Sequence, residues 1–213
     1  RALELNFTNE GGVCGTTRLL KNIGGLWLLQ SCRKCWLEAG HEYSYEELLA
    51  AAEAEKTQFT SLIDPDHPSF LNPASMVEAI ADYCRRTGQQ PPATPGACTK
   101  AILESLAFKY RMVLDSMEEL IGYRLEEIRI IGGGSKNKLL NQFTANATGR
   151  PVIAGPVEAT ALGNIAVQMM ATGAVSSLDD ARAVIDRSFP TVRFEPREDW
   201  SKYYTAFGTI AAA

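Results

Sequence analysis

The sequence lacks a hydrophobic run of the roughly 20 residues that a membrane-spanning helix needs. It also lacks an excess of positive charge, because 21 Lys and Arg face 25 Asp and Glu, for a formal net charge of −4. Domains that bind nucleic acids usually carry a basic surface. We therefore expect neither a membrane nor a nucleic acid as a partner.

Histidine and cysteine are scarce, with two His and five Cys. The irregular cysteine spacing does not resemble a disulfide framework, and the first residues lack the pattern of a secretory signal. We therefore expect a cytoplasmic protein with reduced thiols. Because no Met starts the chain, we also expect it to be part of a longer polypeptide. The cysteines are Cys14, Cys32, Cys35, Cys84 and Cys98.

Individual sulfur and imidazole groups have simple interpretations. Cys32 and Cys35 are spaced as in metal or redox motifs, but no second Cys or His pair completes four ligands. Their helical spacing favours a core-facing position. A disulfide between Cys84 and Cys98 stays open as an alternative, although cytoplasmic thiols disfavour it. The two histidines, His41 and His67, stand alone and are interpreted as structural or exposed.

Of the residues, 46% are hydrophobic and 22% charged, which is typical of a soluble globular protein with a substantial core. We favour one domain. Apolar periodicity and capping residues predict helices near 26–37, 45–55, 99–121, 138–148, 158–171 and 178–188, with one ending at Gly88 and one starting at Trp200. Strands are predicted at 128–131, 151–155 and 191–194, and short strands or an extended loop at 3–20. This order is an α/β pattern.

The segment "IIGGGSKN" places three glycines between a strand and a helix. Backbone without Cβ atoms lets another molecule approach closely, and free N–H groups at a helix start can face an anion. The turn therefore fits nucleotide contact, with a tight turn lacking any ligand as the alternative. It is not the GxGxxG fingerprint, because Asn137 stands where the third Gly would be, nor a Walker loop.

A second strand end, Gly155-Pro156, also leads into a helix. Glu158 sits in the first turn of that helix, where a carboxylate suits the helix dipole. Gly163 and Ala166 are small residues on the same helix. We interpret them as positions of close packing against a neighbouring helix.

The segment "IIGGGSKNKLLNQFTANATGRPVIAGPVEATALGNIAVQMMATGAV" resembles the C-terminal part of the FGGY carbohydrate kinases, which belong to the actin-like ATPase superfamily. So does "NFTNEGGVCGTTRLLKNIGGLWLLQSCRK", and the resemblance covers essentially the whole chain. It implies an α/β, ribonuclease H-like domain, helix-rich, with a mixed sheet flanked by helices. Residues 1–213 would form the C-terminal ATP-binding domain.

The resemblance also implies a site. Mg²⁺ and ATP would be bound, with the nucleotide contacting Gln30, Gly133, Gly134, Ser135 and Asn137, while Asn22 would contact the sugar. Amide side chains both donate and accept hydrogen bonds, which suits a ribose, a base edge or a sugar hydroxyl. The alternatives are a helix-capping role for Asn22 and a solvated position for Gln30.

The implied reaction transfers the γ-phosphoryl group of ATP to a sugar hydroxyl, with the 1-hydroxyl of L-rhamnulose favoured and L-fuculose or D-xylulose as alternatives. A non-catalytic actin-like nucleotide-binding module is a further alternative. The general base and most of the sugar pocket would lie in an N-terminal domain absent from this chain. Phosphoryl transfer depends on groups from both sides of a cleft, so we name no catalytic residue and expect no activity from the chain alone. Asp64, Asp66 and Asp115 match no motif and are interpreted as solvated.

Overall fold

A computed structural model describes residues 1–212 as eight α-helices and five β-strands. None of these helices is both long and apolar enough to cross a membrane. The helices are α1 (Trp27–Glu38), α2 (Tyr45–Ala54), α3 (Met76–Arg86), α4 (Pro95–Ile121), α5 (Lys138–Thr148), α6 (Ala159–Ala171), α7 (Leu178–Ser188) and α8 (Ser201–Ala211). The strands are β1 (Thr8–Gly11), β2 (Thr17–Leu20), β3 (Ile128–Ile130), β4 (Val152–Ala154) and β5 (Val192–Phe194).

The sheet is small and mixed. Strands β3 and β4 run parallel, with Ile128 opposite Val152, and β5 lies antiparallel on the other side of β4. Strands β1 and β2 form a separate antiparallel hairpin. Because β3 and β4 are parallel, the turns that follow their carboxyl ends lie at the same edge of the sheet.

Helix α4 is the longest element and begins earlier than predicted, at Pro95 rather than near Thr99. The Thr94 hydroxyl accepts a hydrogen bond from the Ala97 N–H at 2.9 Å, and proline is favourable at the first helical position. An added Cβ at Gly96 would lie 2.9 Å from the Ala51 carbonyl oxygen. The residues just before Thr99, which include Pro95 and resemble a linker, are therefore the start of a helix that packs closely against α2.

The core surrounds α4, which is buried over much of its length. Aromatic side chains join this helix to α8: the ring centroid of Phe108 lies 5.7 Å from Trp200 and 5.5 Å from Phe207. Phe59, on an irregular segment, stacks on Tyr203 at 4.0 Å. The fully buried rings of Phe108, Trp200 and Phe207 each contribute about 2–3 kcal/mol to folding, so the C-terminal helix is an integral part of the core.

A largely buried ion pair lies near the C-terminal end of α4. Arg150 donates to both carboxylate oxygens of Glu118, at 2.8 and 2.7 Å, and also to the carbonyls of Leu125 and Thr148. Both contacts to Glu118 come from one nitrogen, Nη2, and hydrogen bonds between charged groups are among the stronger ones in proteins. The pair therefore fixes where the chain enters β4.

The five cysteines are all free thiols. Cys32 is buried as predicted, and its Sγ lies 3.9 Å from Cys98 Sγ, so the Cys84–Cys98 disulfide is not formed. Burial raises the pKa of the Cys84 thiol to about 11. His67 has the predicted structural role, because its Nδ1 accepts a hydrogen bond from the Ser69 N–H in a short 3-10 helix.

Glu104 is a carboxylate buried inside the core, with 2% of its surface exposed. Its Oε2 accepts a hydrogen bond from the Phe59 N–H at 2.9 Å, whereas Oε1 has no partner within residues 1–212. Burial raises the pKa of this carboxyl to about 7, although the Phe59 hydrogen bond and the Lys100 charge act in the opposite direction.

The Glu104→Gln variant is therefore expected to change how stability depends on pH. Between the unfolded pKa of 4.5 and the folded pKa of about 7, only the unfolded chain releases the proton, so native stability falls as pH rises. Glutamine keeps an acceptor for Phe59 and removes this loss. The free energy of unfolding of the variant, relative to that of the parent, should therefore increase by about 2 kcal/mol between about pH 5 and pH 8.

Urea unfolding of both proteins at about pH 5 and about pH 8 measures this difference in unfolding free energy. Glu53→Gln, which removes one carboxylate from the exposed side of α2, is the matched control for the change in charge. A Glu104→Gln advantage that is the same at both pH values would contradict the assignment of a buried, protonated carboxyl.

Candidate functional site

The turns after β3 and β4 lie side by side. The Gly132 N–H donates to the Pro156 carbonyl at 3.1 Å, and the Gly155 N–H donates to the Ile130 carbonyl at 2.8 Å. Crevices outside the carboxyl ends of parallel strands are common ligand sites in α/β proteins. The structure therefore places the glycine-rich turn at an edge suited to binding.

The three glycines have different roles. Gly132 has φ +72°, a conformation that favours glycine, so the turn itself requires it. Gly133 is exposed, and an added Cβ would find no atom within 4 Å. At Gly134 a Cβ would meet the Ile130 Cγ2 at an ordinary 3.6 Å. The alternative of a tight turn without a ligand explains Gly132 but gives no reason for glycine at position 133.

Ser135 and Asn137 hold the turn together. The Ser135 hydroxyl donates to the Gly132 carbonyl at 2.6 Å, and Asn141 Nδ2 donates to the Ser135 carbonyl at 3.0 Å. Asn137 Oδ1 accepts from the Leu140 N–H at 3.0 Å and so caps α5. Asn137 Nδ2 makes no hydrogen bond within residues 1–212, so this nitrogen remains a donor for a ligand.

Asn22 and Gln30 lie on a different segment. Asn22 belongs to the loop of residues 21–26 between β2 and α1, and Gln30 to the first turn of α1, where its N–H donates to the Leu26 carbonyl. Both side chains are exposed and form no hydrogen bond within residues 1–212. The N-cap residue of α1 is Leu26, so the alternative of a helix-capping Asn22 is wrong.

An apolar cavity of about 490 Å³ lies between α4, β3 and the loop of residues 21–26. Its walls include Ile23 and Leu26 from the loop and Gly134 from the glycine-rich turn. The structure thus brings the Asn22 loop and the predicted nucleotide turn to the same cavity. Further walls come from α4 and β3: Val113, Met117 and Ile128.

The prediction that the three aspartates are solvated holds for the exposed Asp66 and Asp115 but is wrong for Asp64, whose side chain is 15% exposed. The Lys109 ammonium lies 2.7 Å from Asp64 Oδ1 and 3.0 Å from Asp66 Oδ2, and its side chain is 9% exposed. Burial disfavours this charge, but the hydrogen bonds to both carboxylates outweigh it and raise the pKa of Lys109. Asp115 is also engaged, since it accepts from the Tyr204 hydroxyl at 2.8 Å. Partners so distant in sequence leave no local signal.

Helix α6 differs from its predicted role as a close-packing element. Ala166 is buried, but Gly163 is exposed and a Cβ there would meet nothing within 4 Å. Ile165 is 53% exposed on the same helix. Glu158 is the N-cap residue but makes no capping hydrogen bond. Part of this helix surface is therefore apolar and uncovered in the chain.

Metal ligands do not cluster in the part of the chain that the structure describes. Among residues 1–212, no group of three or more His, Cys, Asp and Glu side chains lies together as a protein metal site would require.

Comparison with known proteins identifies the family of this chain. Residues 1–172 match the C-terminal domain of the FGGY family of carbohydrate kinases, and the chain belongs to that family. Among curated relatives, the chain is 49% identical over 205 residues to a rhamnulokinase of Bacteroides thetaiotaomicron, covering 95% of the chain and 41% of the relative. It is 42% identical over 198 residues to a rhamnulokinase of Bacillus subtilis, covering 92% and 40%.

Solved structures share the fold. A xylulose kinase from Rhodospirillum rubrum superposes with a TM-score of 0.59 at 21% identity, covering 92% of this chain and 39% of that one. A gluconate kinase from Lactobacillus acidophilus gives 0.62 at 14% identity, with 96% and 40% covered. The predicted fold class is therefore confirmed. The chain spans about two fifths of the length of the relatives it matches.

The apolar cavity predicts how the isolated chain behaves in solution. Exposed apolar side chains at the cavity wall, and on α6 at Ile165, are candidates for contact with another protein segment. We expect the isolated chain to bind a hydrophobic fluorescent dye and to associate as its concentration rises. Met117→Glu, which puts a charge on the cavity wall, should lower dye fluorescence severalfold.

Leu37→Glu is the matched control, because Leu37 is an apolar side chain, 57% exposed on α1, outside the cavity wall. Light scattering follows the association. An isolated chain that stays monodisperse and binds no dye would show that this apolar surface needs no partner.

Proposed function

We propose that this chain is the nucleotide-binding half of an ATP-dependent sugar kinase, whose full-length form phosphorylates the 1-hydroxyl of L-rhamnulose in L-rhamnose catabolism. The observation that carries the proposal is the open turn at Gly133, where bare backbone faces space that no protein atom fills. The family and the identity to curated rhamnulokinases support the choice of reaction and sugar.

The proposed nucleotide contacts are inferred from the open backbone and from the side-chain groups that form no hydrogen bond within residues 1–212. Gly133 and Gly134 let phosphate or ribose approach the backbone, as glycine-rich turns do at helix starts. The Gln30 amide and Asn137 Nδ2 remain to bond the neutral edges of the nucleotide. Ser135 contributes by holding the turn, since its hydroxyl already bonds Gly132. Mg²⁺ would bind together with ATP. Phosphate oxygens and waters supply most of its ligands, so it needs few ligands from the protein.

The sugar contact in this chain is Asn22, whose exposed amide can bond a hydroxyl. The general base and the rest of the sugar pocket belong to the N-terminal domain that this chain does not contain. Transfer then requires both halves to align the attacking oxygen with the γ-phosphate. We place the full-length enzyme in the cytoplasm, where free thiols such as the five found here persist.

The other sugars have less support. L-Fuculose and D-xylulose kinases share the family's turn, but the curated relatives described above, at 42–49% identity, are rhamnulokinases. The xylulose kinase structure is only 21% identical and supports the fold alone. A non-catalytic nucleotide-binding module remains the alternative for the chain by itself.

Nucleotide binding to the isolated chain tests the site. Titration calorimetry should detect weak, Mg²⁺-dependent binding of ATP. Gly133→Val should reduce the affinity at least about tenfold, because the new side chain fills the ligand's space. The unfolding midpoint should stay unchanged, because no protein atom lies within 4 Å of the added Cβ. Gln30→Ala should also weaken binding.

Gly208→Val is the matched control, since Gly208 in α8 likewise has no atom within 4 Å of an added Cβ. The site assignment is wrong if ATP binds equally well to the parent, Gly133→Val and Gln30→Ala.

The reaction is tested with the full-length polypeptide. With ATP and Mg²⁺, kcat/KM for L-rhamnulose should exceed that for L-fuculose and D-xylulose by at least about tenfold. The isolated chain should show no measurable transfer, because the groups that activate the sugar hydroxyl are outside it. A coupled assay of ADP release measures both. Sugar-dependent turnover by the isolated chain would refute the division of roles, and a preference for another sugar would refute the substrate.

A further inference from the structure

The loop of residues 21–26 has little secondary structure of its own to fix its shape. It lies between β2 and α1 and forms neither helix nor strand over residues 21–25. On one side, Ile23 and Leu26 face the apolar cavity. Apolar contacts are non-directional, so they do not by themselves determine how the Asn22 amide is presented.

A directional contact lies on the other side of the loop. The Gly24 N–H donates to Asp66 Oδ1 at 2.5 Å. The approach is so close that an added Cβ at Gly24 would lie 2.5 Å from the Pro65 carbonyl oxygen. Gly25, the next residue, has no atom within 4 Å of an added Cβ. The loop is therefore held at Gly24, two residues after Asn22, while on the other side of Asn22 the Lys21 Nζ donates to the Leu5 carbonyl at 2.6 Å.

Asp66 is itself held in place. Its Oδ2 lies 3.0 Å from the Lys109 ammonium, and its N–H donates to Asp64 Oδ1 at 3.1 Å. Asp64 Oδ1 also contacts Lys109, at 2.7 Å. Lys109 projects from the buried helix α4, and its side chain is 9% exposed. One cation thus orients two carboxylates, one of which holds the loop.

We propose that Lys109, Asp64 and Asp66 are positioning residues for sugar binding: they fix the loop through Gly24 and so set the orientation of Asn22. This inference rests on the proposed function, in which Asn22 contacts the sugar. Displacement of a substrate-positioning group by about 1 Å can lower a rate on the order of a hundredfold. The cluster touches no substrate and acts through the loop alone.

The contact itself is tested in the isolated chain by hydrogen exchange of the Gly24 amide. Asp66→Ala removes the acceptor and should speed exchange at least about tenfold. Asp66→Asn keeps an acceptor oxygen and should retain most of the protection. Gly24→Ala should disturb the loop, and Gly25→Ala should leave it unchanged. Glu38→Ala breaks the exposed Lys34–Glu38 pair and is the control for loss of a surface carboxylate.

The role is tested by kinetics in the full-length kinase. Asp66→Ala and Lys109→Met should raise KM for L-rhamnulose at least about fivefold, whereas KM for ATP should change less than about twofold. Asp66→Asn should restore most of the sugar affinity. In the Asn22→Ala background, Asp66→Ala should cause no further increase in KM for L-rhamnulose, because the cluster acts only through the loop that carries Asn22.

The outcomes separate the two proposals. If Asn22→Ala raises the sugar KM but Asp66→Ala and Asp66→Asn leave it unchanged, the positioning role is wrong and the proposed function stands. The positioning role is also wrong if the Asn22 and Asp66 effects are additive, or if KM for sugar and ATP rise equally. If Asn22→Ala has no effect on sugar KM, the assignment of Asn22 falls, and the positioning role with it.

Discussion

Burial of α4 is the constraint on which the rest of the structure depends. The helix carries polar side chains into the core, and four of them bond an irregular segment that follows α2. A buried polar group without a partner is costly, so these bonds determine the path of that segment as well as satisfying the helix. The bonds run from Lys100 to the Glu55 carbonyl, from the Phe59 N–H to Glu104, from the Ile63 N–H to Ser105, and from Lys109 to Asp64.

The same helix connects the core to the candidate site. Lys109 on this helix holds Asp66, and Asp66 holds the loop that carries Asn22. The apolar surface of the helix forms one wall of the cavity beside the glycine-rich turn. The Asn22 loop and the glycine-rich turn, far apart in sequence, therefore border one cavity with α4. For the proposed phosphoryl transfer, such support would align the reacting groups, on which that chemistry depends.

Local patterns were enough to predict most elements of the fold. Helix α5 has the predicted bounds, and at α2 the residues Ser44 and Glu47 form a capping box. The start of α4 was missed because the prolines before it look like a linker, while Thr94 and Pro95 are favourable at a helix start. The Lys109 cluster was missed because its partners lie 45 residues apart in sequence. Family resemblance, rather than periodicity, supplied the roles of Asn22 and Gln30.

Strand β3 occupies one edge of the sheet, with β4 on a single side. In a parallel pair, alternate residues bond the neighbour, so the peptide groups of Arg129 point away from β4 and find no strand there. Such an edge offers unpaired N–H and C=O groups to another extended backbone segment. In a longer polypeptide it allows the sheet to grow by another strand. In the isolated chain, the same edge makes backbone-to-backbone pairing between molecules a route to aggregation.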